Sequence, residues 1–135
     1  MLRGINHITL AVSDLNQSIN FYTKTLGMKP HVKWKRGAYL SLAEVWFCLS
    51  LESSGVVNSR KDDSHIAFDI DELDFNRFVK RLKTNSVTEW KVNTSEGRSL
   101  YFLDPDGHKL EVHCGNLQSR LKALKADPYE ELEWY

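Results

Sequence analysis

Between residues 6 and 12 the chain reads NHITLAV, with Ile8, Leu10 and Val12 alternating against His7, Thr9 and Ala11. A period of two is that of a half-buried strand, so the first set is predicted to face a core and the second to face away from it. The alternation returns in SHIAFDI, where Ile66, Phe68 and Ile70 oppose His65, Ala67 and Asp69. It returns again in HKLEVHC, where Leu110 and Val112 oppose Lys109, Glu111 and His113. After each of the first two strands the apolar spacing lengthens. Ile19, Phe21, Tyr22 and Leu26 follow the first, and Phe75, Phe78, Val79 and Leu82 follow the second, as expected of a helix laid on a core. Gly27 and Asn85 suit the ends of those helices.

These stretches align as two copies. His7 pairs with His65, Ile8 with Ile66, Leu10 with Phe68, Val12 with Ile70 and Leu15 with Leu73, at constant spacing. Each copy continues into extended segments, AYLSLAEVWFCLSL in the first and SLYFLDPDGHKLEVHC in the second. Within the latter, DPDG is a turn signal between two strand runs, with His108 expected to be exposed at the tip. The plan is therefore strand, helix and three strands, twice over, an α+β chain of paired βαβββ modules. Module one is placed at about 4–52, a polar linker at about 53–63 and module two at about 64–115. A helix led by Asn116 and stopped near Pro128 opens the tail, 116–135.

Composition narrows the class. A chain of 135 residues can bury a core without disulfides, so Cys48 and Cys114 are expected to be reduced. Eighteen basic residues balance eighteen acidic ones, which removes any global field toward nucleic acid or an anionic membrane and favours a small-molecule partner. No apolar run approaches the roughly 18 residues of a membrane span. The opening MLRGINH passes straight into a strand pattern with no secretory-signal character, so a cytoplasmic location is expected.

The polar sides of the strands carry the candidate chemistry. If the two sheets curve around a shared cavity, His7, His65 and Glu111 converge as two imidazoles and a carboxylate, a set suited to Zn²⁺, Mn²⁺ or Fe²⁺. The competing reading makes each histidine a hydrogen-bonded interior residue. In WKVNTSEGRSLYF, Lys91, Ser95, Ser99 and Tyr101 surround a Gly-containing loop that could hold an oxyanion, or could simply be solvated. By residue type alone Arg120 reads as a surface charge, and Trp34, Tyr39 and Trp46 as packing residues. His113 reads as a core histidine or a partner of Glu111.

The doubled plan with NHITLAVSDLNQSINFY, SHIAF and YFLDPDGHKLEVH resembles the vicinal oxygen chelate superfamily. Within it, GAYLSLAEVWFCLSLE, EWKVNTSEGRSLYFLDPDGHKLEVHCGNLQSRL and the ending DPYEELEWY are similar to the fosfomycin-resistance glutathione transferases, over nearly the whole chain. That resemblance implies a homodimer with exchanged modules, in which each metal site draws on both chains. It implies His7, His65 and Glu111 as ligands of Mn²⁺, and a K⁺ site near Asn93, Ser95, Glu96, Gly97 and Ser99. It places Lys91, Ser95, Ser99, Tyr101 and Arg120 on the phosphonate of fosfomycin, and Thr9 beside the metal and the epoxide. Trp34, Tyr39 and Trp46 fall in the thiol and substrate pocket.

The implied reaction is attack of a glutathione thiolate on the epoxide carbon, with Thr9 or Tyr39 managing the thiol proton and no protein nucleophile. Opening by water, cysteine or bacillithiol on the same site is the alternative, and a module that sequesters its ligand unchanged is a second. Three positions depart from the pattern: Arg36 and Arg98 are expected to alter thiol or K⁺ affinity. Asp63, where a tyrosine is usual, is expected to alter closure over the substrate.

Overall fold

A computed structural model describes all 135 residues. Module one contains β1 (His7–Val12), α1 (Leu15–Asn20), β2 (Lys29–Trp34), β3 (Gly37–Leu42) and β4 (Val45–Leu51). Module two contains β5 (Ile66–Asp69), α2 (Glu72–Thr84), β6 (Glu89–Lys91), β7 (Arg98–Leu103) and β8 (Lys109–Cys114), and α3 (Leu117–Ala126) follows. Each module forms a four-stranded sheet, ordered β1-β4-β3-β2 and β5-β8-β7-β6. In both, the first strand runs parallel to the last while the other neighbours are antiparallel.

The alternation decides which faces are dry. Leu10, Val12, Ala38, Leu40, Phe47 and Leu49 are buried on one face of the first sheet, and Phe102, Leu110, Val112 and Cys114 on one face of the second. These residues belong to one continuous core, and Phe47 of the first sheet meets Phe68 of the second at 5.8 Å between ring centroids. Phe75 and Leu82 of α2 are buried in the same core, and Phe78 meets Phe102 edge to face. Asp71 caps α2 by accepting from the Leu73 N–H, and acidic residues in its first turn and basic ones in its last complement the helix dipole.

One predicted element is modified. The helix after β1 is α-helical only through Asn20, and continues as a π-helical turn over Phe21–Thr25. The Leu26 N–H donates to the Phe21 carbonyl, and the wider turn carries the consecutive side chains Phe21 and Tyr22 into the core together. Gly27, at φ +84, then turns the chain into β2.

The β7–β8 hairpin corrects another expectation. His108 is not exposed at a free tip, because the turn docks on module one and the imidazole Nε2 donates to the Ala11 carbonyl at 2.7 Å. Beside it the Tyr22 hydroxyl donates to Asp104 Oδ2 at 2.7 Å, and the Ser13 N–H donates to both Asp106 carboxylate oxygens at 3.1 Å. Burial raises the Asp104 carboxyl above its ordinary range, while its hydrogen bond from Tyr22 pulls the other way. The turn chemistry of DPDG thus joins the two modules within one chain as well as bending the strand.

Tyr22→Phe leaves a buried Asp104 oxygen without its donor. It is expected to lower the unfolding free energy by about 1–3 kcal/mol, read as a lower urea midpoint at unchanged m-value. A midpoint equal to that of the unsubstituted chain would contradict this role for the contact.

Candidate metal and anion site

The polar face of the second sheet gathers most of the predicted residues. His65 stands immediately before β5, and its Nδ1 lies 2.6 Å from the Asp63 carbonyl oxygen, which can only accept. Nδ1 therefore carries a proton, and Nε2 points at Glu111 Oε2, 2.9 Å away. A neutral imidazole in that tautomer presents a lone pair to a carboxylate. Two acceptors at that distance are compatible only with a proton or a cation shared between them. Glu111 is itself buried, and its other oxygen accepts from the Ser99 hydroxyl at 2.5 Å. Ser99 Oγ in turn lies 2.7 Å from His113 Nδ1, so His113 supports Glu111 through Ser99. This nitrogen and oxygen pair, with one side held by hydrogen bonds, fits a borderline or hard divalent metal ion.

Next to it lies a cation on an aromatic platform. Lys91 Nζ sits 5.3 Å from the Tyr101 ring centroid and 5.8 Å from that of Trp90, and pairs with Asp63 at 2.9 and 3.1 Å. The hydrogen bond with Asp63 raises the Lys91 ammonium above its ordinary range and lowers the Asp63 carboxyl. A shift in the strand pairing between Glu89 and Lys91 is what lets the adjacent residues Trp90 and Lys91 both approach Tyr101.

The loop before β7 is shaped by its own polar groups. Asn93 Oδ1 accepts from the N–H and hydroxyl of Ser95, and Asn93 Nδ2 donates to the Gly97 carbonyl at 2.9 Å. Gly97 has φ +81, and a Cβ there would stand 2.6 Å from the Cys114 carbonyl oxygen and 2.7 Å from the His113 ring. Only glycine fits. Arg120 is not a free surface charge, since its Nη2 donates to the Glu96 carbonyl at 3.1 Å and its Nε lies 3.4 Å from Glu96 Oε2. That oxygen is buried and has no aligned hydrogen-bond donor.

His7 and Thr9 lie on the open face of the first sheet. Trp34, Tyr39 and Trp46 form a row of edge-to-face contacts there, at 4.8 and 4.9 Å, and His7 packs on Trp46 at 4.5 Å. These aromatics are therefore not core packing: Trp34 and Trp46 are exposed, and Tyr39 is half-buried. His7 Nδ1 is 2.8 Å from Asn6 Oδ1. Within one chain His65 and Glu111 come together and His7 does not join them: no group of three His, Cys, Asp or Glu side chains is arranged to hold a metal ion. Cys48 and Cys114 are free thiols, and no helix is long and apolar enough to cross a membrane.

Arg98 points away from the loop, toward α2. It pairs with Glu72 at 2.9 Å, bonds Asn76 and lies 4.3 Å from the Phe75 ring centroid. Arg36 bonds the Leu51 carbonyl at 2.7 Å. Sequence reasoning passed over Trp90, whose ring lies 5.6 Å from that of His65 and whose indole N–H donates to the Leu110 carbonyl. It also passed over Lys109, whose Nζ lies 4.7 Å from the Trp90 centroid. Lys109 shares the strand phase of Glu111, which was a usable signal; Trp90 depends on the pairing shift, which no periodicity reports.

Residues 4–112 match the model of the Glyoxalase/Bleomycin resistance protein/Dioxygenase superfamily. The chain is 48% identical over 131 residues to the glutathione transferase FosA of Serratia marcescens, covering 96% of this chain and 93% of that protein. It is 38% identical to a metallothiol transferase FosB of Staphylococcus epidermidis, with 93% and 92% covered. Among solved structures, the fosfomycin resistance protein FosX of Listeria monocytogenes superposes with a TM-score of 0.81 at 30% identity, covering 91% of this chain and 99% of that one. The same protein complexed with Mn(II) and sulfate gives 0.79 at 31% identity, with 91% and 98% covered. The chain belongs to the glyoxalase/bleomycin resistance/dioxygenase superfamily and, within it, to the fosfomycin-resistance proteins.

Proposed function

We propose that this protein inactivates fosfomycin by adding the thiol of glutathione to its epoxide. The observation that carries the thiol assignment is the 48% identity, over nearly the full chain, to a glutathione transferase. The site chemistry supports it, because an imidazole and a carboxylate meet beside a lysine held on an aromatic platform. His65, Glu111 and His7 of a second copy would hold the metal ion, Mn²⁺ by preference. Bound there, the ion would supply Lewis-acid stabilisation to the oxygen released when the epoxide C–O bond opens.

The chain's own groups do the rest. Lys91 and Arg120 bind the phosphonate dianion and Tyr101 donates to it, while Ser95 and Ser99 fix its orientation by turning their hydroxyl protons to it from Asn93 and Glu111. Asn93, Ser95, Glu96, Gly97 and Ser99 are the candidate K⁺ group, although the Glu96 oxygen without a hydrogen bond already faces the Arg120 guanidinium at 3.4 Å. Trp34 and Trp46 wall the thiol pocket and exclude water. Tyr39 takes or directs the thiol proton, and Thr9 donates to the epoxide oxygen side of the substrate. Neither cysteine is required as a nucleophile. The separation of His7 from the other two proposed ligands within one chain supports a homodimer in which a second copy supplies His7.

A second reading keeps the site and replaces glutathione with another low-molecular-weight thiol or with water. The likeness to metallothiol transferases and to FosX favours it.

Incubation with Mn²⁺, fosfomycin and an equimolar mixture of glutathione, cysteine and bacillithiol, followed by mass spectrometry, is expected to give mainly the glutathione adduct. A different adduct, or a diol as the main product, would transfer the assignment to the second reading. His65→Ala removes one proposed ligand outright, a larger loss than disturbing a ligand's outer partner. Its Mn²⁺ affinity is therefore expected to fall by about a hundredfold or more, measured by electron paramagnetic resonance of free Mn²⁺. Unchanged Mn²⁺ binding would remove His65 from the ligand set.

A further inference from the structure

The segment between the modules is tied across the polar face of the second sheet. The Lys109 ammonium donates to the carbonyl oxygens of Lys61 and Asp62, and Asp62 accepts from the Ser64 N–H at 3.0 Å. Held in this way, Asp63 reaches two parts of the site at once. Its backbone carbonyl accepts from His65 Nδ1 at 2.6 Å, which fixes the tautomer that turns Nε2 toward Glu111. Its carboxylate accepts from Lys91 Nζ at 2.9 and 3.1 Å.

We propose that Asp63 is an internal counter-anion that occupies Lys91, must be displaced by the phosphonate of the substrate, and so sets how tightly an anion must bind to hold the site. This rests on the reading of Lys91 as a phosphonate-binding group. The Asp63 side chain is 69% exposed, so it can swing off Lys91 without opening the core, while its carbonyl stays on His65. The cost of displacing Asp63 falls equally on every anion that takes Lys91, so all of them bind more weakly and only one that binds strongly enough still occupies the site. A monoanion exchanges one unit negative charge on Lys91 for another and gains little. A dianion brings more charge and further oxygens for Ser99 and Tyr101, so it binds the more strongly of the two. The residue thus sets a threshold that weakly held anions fail, at the expense of some affinity for the substrate.

The test uses the full-length, Mn²⁺-loaded protein titrated calorimetrically with inorganic phosphate at fixed ionic strength, in a double-mutant cycle of Asp63→Asn and Lys91→Ala. Asp63→Asn keeps the backbone carbonyl and removes the competing charge. Phosphate is expected to bind about threefold to fivefold more tightly to it, the scale of one exposed ion pair. Lys91→Ala is expected to weaken phosphate binding and to abolish the effect of Asp63→Asn. If Lys91→Ala weakens binding while Asp63→Asn changes nothing, the role given to Asp63 is overturned and that of Lys91 stands. If Lys91→Ala leaves phosphate binding unchanged, the phosphonate reading of Lys91 fails, and the role of Asp63 fails with it.

Discussion

Each sheet can bury only one face, and the site depends on that constraint. The strand period puts Ile8, Leu10 and Val12, and Ile66 and Phe68, against a shared core. His7 and Thr9, and Glu111 and Ser99, are then left on the opposite faces. A polar group on such a face carries no requirement to pack. It is free to bind, provided that its neighbours keep it oriented. The core and the site are therefore two consequences of one alternation, and a one-residue register slip in β1 or β8 would destroy both.

Orientation on the second sheet comes from a chain of hydrogen bonds rather than from packing. Glu111 is buried, yet it is held by Ser99 on one oxygen and faced by His65 on the other, with His113 behind Ser99 and the Asp63 carbonyl behind His65. Removing water from a carboxylate is expensive unless charge and donors replace it. The arrangement leaves one position, between His65 and Glu111, that a shared proton or a cation would fill. On the first sheet the aromatic row from Trp34 to His7, its rings set edge to face or tilted, gives a partly exposed apolar wall instead.

Much of this was legible in the chain, for physical reasons. The alternation and its repetition specify β1, β5 and β8 with their dry and wet faces, because these follow from local periodicity, whereas β2 and β6 were implied only by the count of strands in each copy. Contacts between distant segments were not legible. His108 was expected at a free hairpin tip, but it is docked on Ala11, 97 residues away, and nothing in DPDGH announces that partner. Arg98 appeared to belong to the loop it follows, whereas its strand phase directs it to Glu72 and Phe75. Arg120 looked like a surface charge because its partner, Glu96, is brought to it only by the fold. The convergence of His65 with Glu111 was expected, and the position of His7 apart from them within one chain shows why a second copy is invoked.

Co-assembly of two inactive variants tests whether each metal site is shared between two copies. His7→Ala in one chain and Glu111→Ala in the other are each expected to abolish Mn²⁺-dependent thiol addition. If every metal site combines His7 of one copy with His65 and Glu111 of the other, a mixed dimer regains one intact site, with Mn²⁺ bound at one per dimer and activity returning. If all three ligands come from the same chain, every site in the mixed dimer carries a lesion, and neither Mn²⁺ binding nor activity returns.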